Sequence, residues 1–396
     1  MEKDNSVVVV DGVALFDSLF SAYFPLPFRI VAAITLGIWG WGTNVHYLSR
    51  AHVDVGALVR QTTASVPLYM YIYSVAMLLT LVLAVCTLLF WLTSASLATG
   101  LRIVPGGFWP WLAVALVPAV FCFPGPQFHR AGRFRFLSTV RRIALGGLDK
   151  EVSFADVIAA DAVTSYTKVL ADLWVMVCMT FSGASVAGVP LRQCGGRLVV
   201  PTLLCIPNTI RLRQCLTFVL RTSGHARKMQ LLNALKYSTA YPVVFLSLLQ
   251  RTTDGPDDVL SAAALHRLWI LALLVNSLYS FYWDVTNDWD LTFFVRRPPP
   301  GLRFYGLRQK LYLPAPNAYY AAVVADLVLR LAWSVKLSPH LNFFNEREGG
   351  FFILELLEVF RRWVWLFFRL ECEYIRSAGK LPVNVPPGIE MHEAKD

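Results

Sequence analysis

Long apolar stretches separated by polar connections dominate the chain, at about 28–48, 67–94, 108–124, 154–182, 198–216, 231–250, 262–285, 317–337 and 351–370. A helix needs about 20 residues to cross the hydrocarbon core of a bilayer, so all nine read as membrane spans. The stretch 198–216 is the weakest, because Pro201, Pro207, Arg211 and Arg213 interrupt it. Segment 131–150 is more polar. Its Phe134, Leu137, Val140 and Ile143 recur at helical spacing, with Arg133, Arg135, Arg141 and Arg142 elsewhere. Alone, that pattern describes an interfacial amphipathic helix. Loop charge changes the reading. The basic loops 221–230 and 296–310 lie two spans apart and share a side with the C-terminal tail, and Lys and Arg collect in cytosolic loops. With 131–150 inserted as a short tenth span, the N-terminus is cytosolic as well; without it, the N-terminus faces the opposite compartment. The expected fold is an all-α polytopic transmembrane bundle of about ten spans. It divides into a cytosolic stretch 1–27, N-terminal helices 28–150, a second helical set 151–375 and a cytosolic tail 376–396.

Composition agrees with a membrane protein: 56% of the 396 residues are hydrophobic and 16% are charged, where a soluble domain carries about a quarter charged residues. The formal charge of +10 is largely explained by cytosolic loops, with a share left for an anionic substrate; no motif points to nucleic acid. Seven scattered cysteines without a CxxC pair read as small apolar residues rather than disulfide or metal partners. The histidines show no metal-ligand spacing, so neither a metal nor another cofactor is expected.

Charged residues inside the apolar stretches carry the chemistry. Glu358, Arg361 and Arg362 fall within 351–370, and Lys236, Asp284, Arg330 and Asp161 sit in equally apolar company. Each ionisable group at the bilayer centre costs about 2.5–3.5 kcal/mol on insertion scales, so such groups must compensate one another inside a bundle and commonly mark a solute pathway. Helical spacing gives each span a polar stripe: Asp161 with Thr164, Asp284 with Asp288, Arg330 with Trp333, and Glu358 with Arg361 and Arg362. A planar guanidinium matches tetrahedral oxyanions bidentately and cannot shed its proton. Three arginines and Lys236 therefore make an anion site, with the acids aligning the forks. Helix-locking ion pairs are the bland reading, and a scaffold for other membrane proteins is its functional form. A membrane phosphotransferase using Asp284 and Asp288 as a metal-binding pair is weaker, because the accompanying histidines are missing.

Leu232-Asn233-Ala234-Leu235-Lys236-Tyr237-Ser238, the run Val275 to Trp289, Asp326 to Trp333 and Leu356 to Trp365 resemble the EXS domain, as does Pro207 through Arg211 to Leu216. The resemblance covers about 150–375. It implies a non-enzymatic transporter of inorganic phosphate, possessing a pathway at Asp161, Thr164, Lys236, Asp284, Asp288, Arg330, Trp333, Glu358, Arg361 and Arg362. Thr164 stands where several relatives carry Asn, and Gln230 replaces a common His. Only 27 residues precede the first span, leaving no room for the SPX sensor of the plasma-membrane exporters. That shortness, with Pro25-Leu26-Pro27, Trp39, Asn44 to Leu48 and Asp54, resembles the fungal ER-retention-defective branch of the family. It implies a Golgi membrane location, with the ER or plasma membrane as the alternatives. The implied role is return of lumenal phosphate released by glycosylation to the cytosol. Implied partners are a second copy in a homodimer, membrane lipid, and Golgi glycosyltransferases or sorting adaptors.

Overall fold

The structure is a computed structural model describing residues 17–60, 66–97, 107–148, 151–250, 261–295, 301–313, 315–332, 334 and 348–378. All regular elements among them are helical. In chain order they are α1 Asp17–Tyr23, α2 Leu26–Arg50, α3 Val55–Leu58, α4 Leu68–Leu97, α5 Phe108–Cys122, α6 Arg130–Leu145, α7 Phe154–Ser165 and α8 Thr167–Phe181. These are followed by α9 Val199–Arg221, α10 Gly224–Ser238, α11 Ala240–Gln250, α12 Ala262–Trp283, α13 Pro316–Arg330 and α14 Glu348–Ala378.

By length and composition, two helical stretches, Leu68–Ser94 and Ala262–Asp288, can cross a membrane alone, and the bent pairs α1–α2 and α7–α8 qualify as broken spans. Elsewhere, breaks and buried charge interrupt the apolar runs. Thr239 separates α10 from α11, its hydroxyl donating to the Lys236 carbonyl at 2.6 Å and lying 2.9 Å from Asn276 Oδ1. The break between α7 and α8, bent by 62°, lies at Tyr166, whose hydroxyl donates to the Ala33 carbonyl of α2 at 3.2 Å. Gly37 makes that approach possible, because a Cβ there would lie 1.7 Å from the Tyr166 hydroxyl.

The two ends of the bundle are set by α14, which has 31 residues and is therefore about 45 Å long at 1.5 Å per residue. At its start, the Glu348 amide donates to Asp17 at 3.0 Å, and the Glu348 carboxylate pairs with Arg29 at 2.8 Å and Arg192 at 2.7 Å. At its far end, Leu370 and Tyr374 pack with Val45, Leu48, Val53 and Phe154. The first described residues and Ala378 thus lie at opposite ends.

Two expectations are corrected here. Over its described residues 131–148, the segment expected as a tenth span does not run across the bundle. Near the start of α6, His129 stacks on Tyr71 with ring centroids 4.4 Å apart, and Arg135 donates to the Arg60 carbonyl. Near its end, Arg142 pairs with Asp156 at 2.7 Å. Tyr71, Arg60 and Asp156 all belong to the Phe154 end, so α6 lies along that end rather than crossing the bundle. Its sequence, RAGRFRFLSTVRRIAL, has five arginines and no acid to neutralise them. Without that crossing, the reason for placing both termini on one side falls away.

The second correction concerns the cysteines: Cys178 at the end of α8 and Cys194 in the following loop form a disulfide. Scattered sequence spacing hid the pair because the 182–198 loop folds back on α8. Its return is held by Arg192, which bridges Glu348 and Asp172.

Arg133 is the one α6 arginine that is buried. It donates to the backbone carbonyls of Val120, Phe123, Gly125, Gln127 and Phe128 at 2.7–3.2 Å, satisfying carbonyls that the end of α5 leaves open. Each buried polar group left unpaired costs about 1–3 kcal/mol. Arg133→Ala is expected to lower the thermal midpoint of the purified protein by several degrees, whereas Arg141→Ala on the exposed face should leave it unchanged; thermal unfolding in detergent checks both.

Candidate functional site

The ending of α12 brings two carboxylates together. Its last turn, Asp284–Asp288, is π-helical, with the Trp289 amide donating to the Asp284 carbonyl at 2.9 Å. Widened turns of this kind are frequent at functional positions. Both acids meet Lys236 of α10, whose Nζ lies 3.0 Å from Asp284 Oδ1 and 3.5 Å from Asp288 Oδ2.

Asp284 is fully buried and gathers two more cations, Arg330 from α13 and, at 3.7 Å, Arg361 from α14. Asp326 stands four residues before Arg330. It accepts from Arg330 Nε at 3.0 Å and from Arg361 Nη1 at 3.1 Å. Glu358 accepts from Arg361 at 2.6 and 2.9 Å and from the Ser165 hydroxyl at 2.7 Å. Arg362 donates to Ser165 and Thr164 hydroxyls at 2.9 and 3.0 Å, and its guanidinium lies 4.5 Å from the Trp365 ring centroid. These contacts join α7, α10, α12, α13 and α14 through one ionic lattice.

The lattice borders a cavity of about 360 Å³, whose wall includes Thr164, Asn208, Lys236, Tyr237, Asn276, Arg330, Glu358, Arg361 and Arg362. Among the described residues, four cations reach this wall and Glu358 is its single acid; Asp284, Asp288 and Asp326 do not reach it. Arg361 spends its donors on Glu358 and Asp326. In contrast, the Nη1 amines of Arg330 and Arg362 make no hydrogen bond among the described residues. Two forks therefore have donors available to an oxyanion while their remaining nitrogens are held in place.

Of the sequence-derived residues, Thr164, Lys236, Arg330, Glu358, Arg361 and Arg362 line the cavity, with Asp284 and Asp288 immediately behind Lys236. Asp161 stands farther out. It pairs with Arg211 at 2.6 Å and accepts from the cavity-lining Tyr237 hydroxyl at 2.7 Å. Trp333 lies outside the described residues. Sequence reasoning missed Asp326, Ser165, Arg211 and Tyr237 as parts of this lattice, together with Arg369, which reaches Asp288 at 3.8 Å. Asp326 had a legible signal: an acid four residues before Arg330 in an apolar stretch. The Asp284–Asp288 pair is bridged by an ammonium group, an arrangement that does not suit the acids to a shared metal.

Together, fold and cavity define a helical membrane protein with a buried, cation-lined chamber. The EXS family pattern matches residues 24–375. Protein ERD1 homolog 1 of Schizosaccharomyces pombe is 31% identical over 387 residues, covering 94% of this chain and 97% of that protein. The xenotropic and polytropic retrovirus receptor 1 homolog of Xenopus laevis is 33% identical over 273 residues, covering 65% of this chain and 37% of that protein. Phosphate transporter PHO1 homolog 8 of Arabidopsis thaliana is 32% identical over 293 residues, covering 72% of this chain and 36% of that protein. The chain belongs to the EXS family. It spans little more than a third of the length of the frog and plant relatives.

Asp326 tests the lattice directly. Removing one partner of a buried charge pair costs about 3–5 kcal/mol, because the remaining charge is left uncompensated. Asp326→Ala should strongly lower the unfolding midpoint, whereas Asp326→Ala combined with Arg330→Met should recover part of that loss; a double-mutant cycle on purified protein checks the expectation.

Proposed function

We propose that the chain moves inorganic phosphate across its membrane through the chamber between α7, α10, α12, α13 and α14. The carrying observation is the imbalance of the wall, where, among the described residues, Lys236, Arg330, Arg361 and Arg362 meet one acid. Desolvated phosphate is received by the open Nη1 amines of Arg330 and Arg362. The Thr164 hydroxyl and Lys236 complete its surroundings, while Asp284, Asp326 and Glu358 keep the cations aligned. Asp161 acts through Tyr237 and Arg211. Because the acids already compensate much of the positive charge, the anion is held weakly enough to leave again, as conduction requires. The phosphate-transporter relative and the receptor relative support this reading at the level of the family.

The membrane placement follows from the two bundle ends. We infer nine crossings, provided by α2, α4, α5, the pair α7–α8, α9, the pair α10–α11, α12, α13 and α14. The basic loop 221–230 marks the cytosolic end, which also carries α6 and Ala378. The 182–198 loop, its disulfide and residues 17–27 then face the lumen, where disulfides persist. Similarity to the fission-yeast protein supports a Golgi setting, with phosphate returned from lumen to cytosol and glycosylation and enzyme retention depending on it.

Radiolabelled phosphate counterflow in proteoliposomes tests the transport reading. Arg362→Lys should lower flux about tenfold to a hundredfold, the effect of losing one charge-assisted hydrogen bond worth about 1.5–3 kcal/mol. The protein should remain folded, because the ammonium keeps the charge but not the fork. Wild-type flux in that variant would remove Arg362 from the site. Absent counterflow in folded wild-type protein would leave the retention scaffold as the function.

Orientation has its own test. In sealed, cytosol-out Golgi vesicles, a membrane-impermeant reductant should leave Cys178–Cys194 intact until detergent is added. Immediate reduction would invert the placement.

A further inference from the structure

A second chamber lies outside the phosphate site, between α2, α4, α6, α7 and α14. Its volume is about 430 Å³, within the range of about 300–1,000 Å³ usual for small-molecule sites. Ile34 and Ile38 of α2, Ile72 and Val75 of α4, and Ile158 of α7 line it; Ala155, Ala159 and Ala162 keep its α7 wall short. The chamber runs from α6, at the cytosolic end, inward to Val359, Arg362 and Trp363 of α14. Several of its polar wall groups are engaged elsewhere. The Tyr166 hydroxyl donates to Ala33, Arg133 caps α5, and Arg362 holds Thr164 and Ser165. The rest of the wall is mainly apolar, and a buried water needs two to four polar partners.

The cytosolic rim is basic. Arg135 of α6 lines the chamber and is exposed, and Arg130 and Arg141 are exposed on the same helix without an acid among its residues. An amphipathic arginine helix lying along a bundle end fits the interface of an anionic leaflet. We propose that this chamber binds one anionic phospholipid of the cytosolic leaflet, with an acyl chain between α6 and α7 and its headgroup at Arg135. The chain reaches Arg362, so the lipid packs against a side chain of the phosphate site. This proposal rests on the membrane placement above and not on phosphate transport.

The test is native mass spectrometry of the full chain released from nanodiscs containing equal phosphatidylserine and phosphatidylcholine. Wild-type protein should retain one phospholipid, enriched severalfold in phosphatidylserine. Ala159→Trp fills the chamber and should abolish retention, with folding followed by thermal unfolding. Arg135→Gln alters only the rim and should retain one phospholipid without preference for serine. Wild-type protein that retains no phospholipid overturns the proposal, as does folded Ala159→Trp protein with wild-type lipid content. If Ala159→Trp does not fold, an unchanged serine preference in Arg135→Gln overturns it. Retained inorganic phosphate without phospholipid would assign the rim to the free anion and also overturn it. Because the readout is bound lipid mass, failure leaves the transport reading untouched.

Discussion

The Asp284 carboxylate is the constraint around which the site is arranged. Buried at the end of α12, it accepts from Lys236 and Arg330 and attracts Arg361. Asp326 repeats the device one step away by sharing Arg330 and Arg361. Removing charges from water costs several kcal/mol per ion, and only close pairing with further hydrogen bonds offsets that penalty. The geometry meets this condition by sharing cations and anions among helices instead of isolating pairs. Helices that would otherwise separate freely in lipid are consequently held in one register.

This lattice also explains how a basic chamber can serve a mobile anion. Compensation comes from behind: the aspartates neutralise the cations without reaching the chamber wall, while Arg330 and Arg362 line it and each has an Nη1 amine with no hydrogen bond among the described residues. A naked cluster of cations would be costly to bury and would hold phosphate too firmly. A fully paired cluster would have no donors left. The intermediate state suits recognition followed by release, and the same principle assigns Asp161 a supporting position through Tyr237.

Much of the site was legible because charge is expensive in apolar helices. Glu358, Arg361 and Arg362 at three- and four-residue spacing, or Lys236 inside an otherwise spanning stretch, need partners and so point to one another. Asp326 was within reach of the same reasoning as an acid four residues before Arg330, but helical spacing does not show that it also meets Arg361 of another helix. Arg211 was read as a defect in a weak span, although it is the partner of Asp161. The failure at 131–150 has another cause. Hydrophobic periodicity and loop charge disagreed there, and periodicity was the better guide because arginines without acids remain at an interface more cheaply than they cross. The disulfide was hidden by loop geometry, which spacing between Cys178 and Cys194 does not reveal.

The proposed transport depends on phosphate occupying the chamber between the open nitrogens of Arg330 and Arg362. High-resolution cryo-electron microscopy of the protein in nanodiscs at saturating phosphate tests it most directly, with a phosphate-free specimen as control. A tetrahedral density present only with phosphate is expected, within hydrogen-bond distance of both guanidinium groups. A chamber unchanged at saturating phosphate, or an anion bound elsewhere with these two arginines unoccupied, would contradict it.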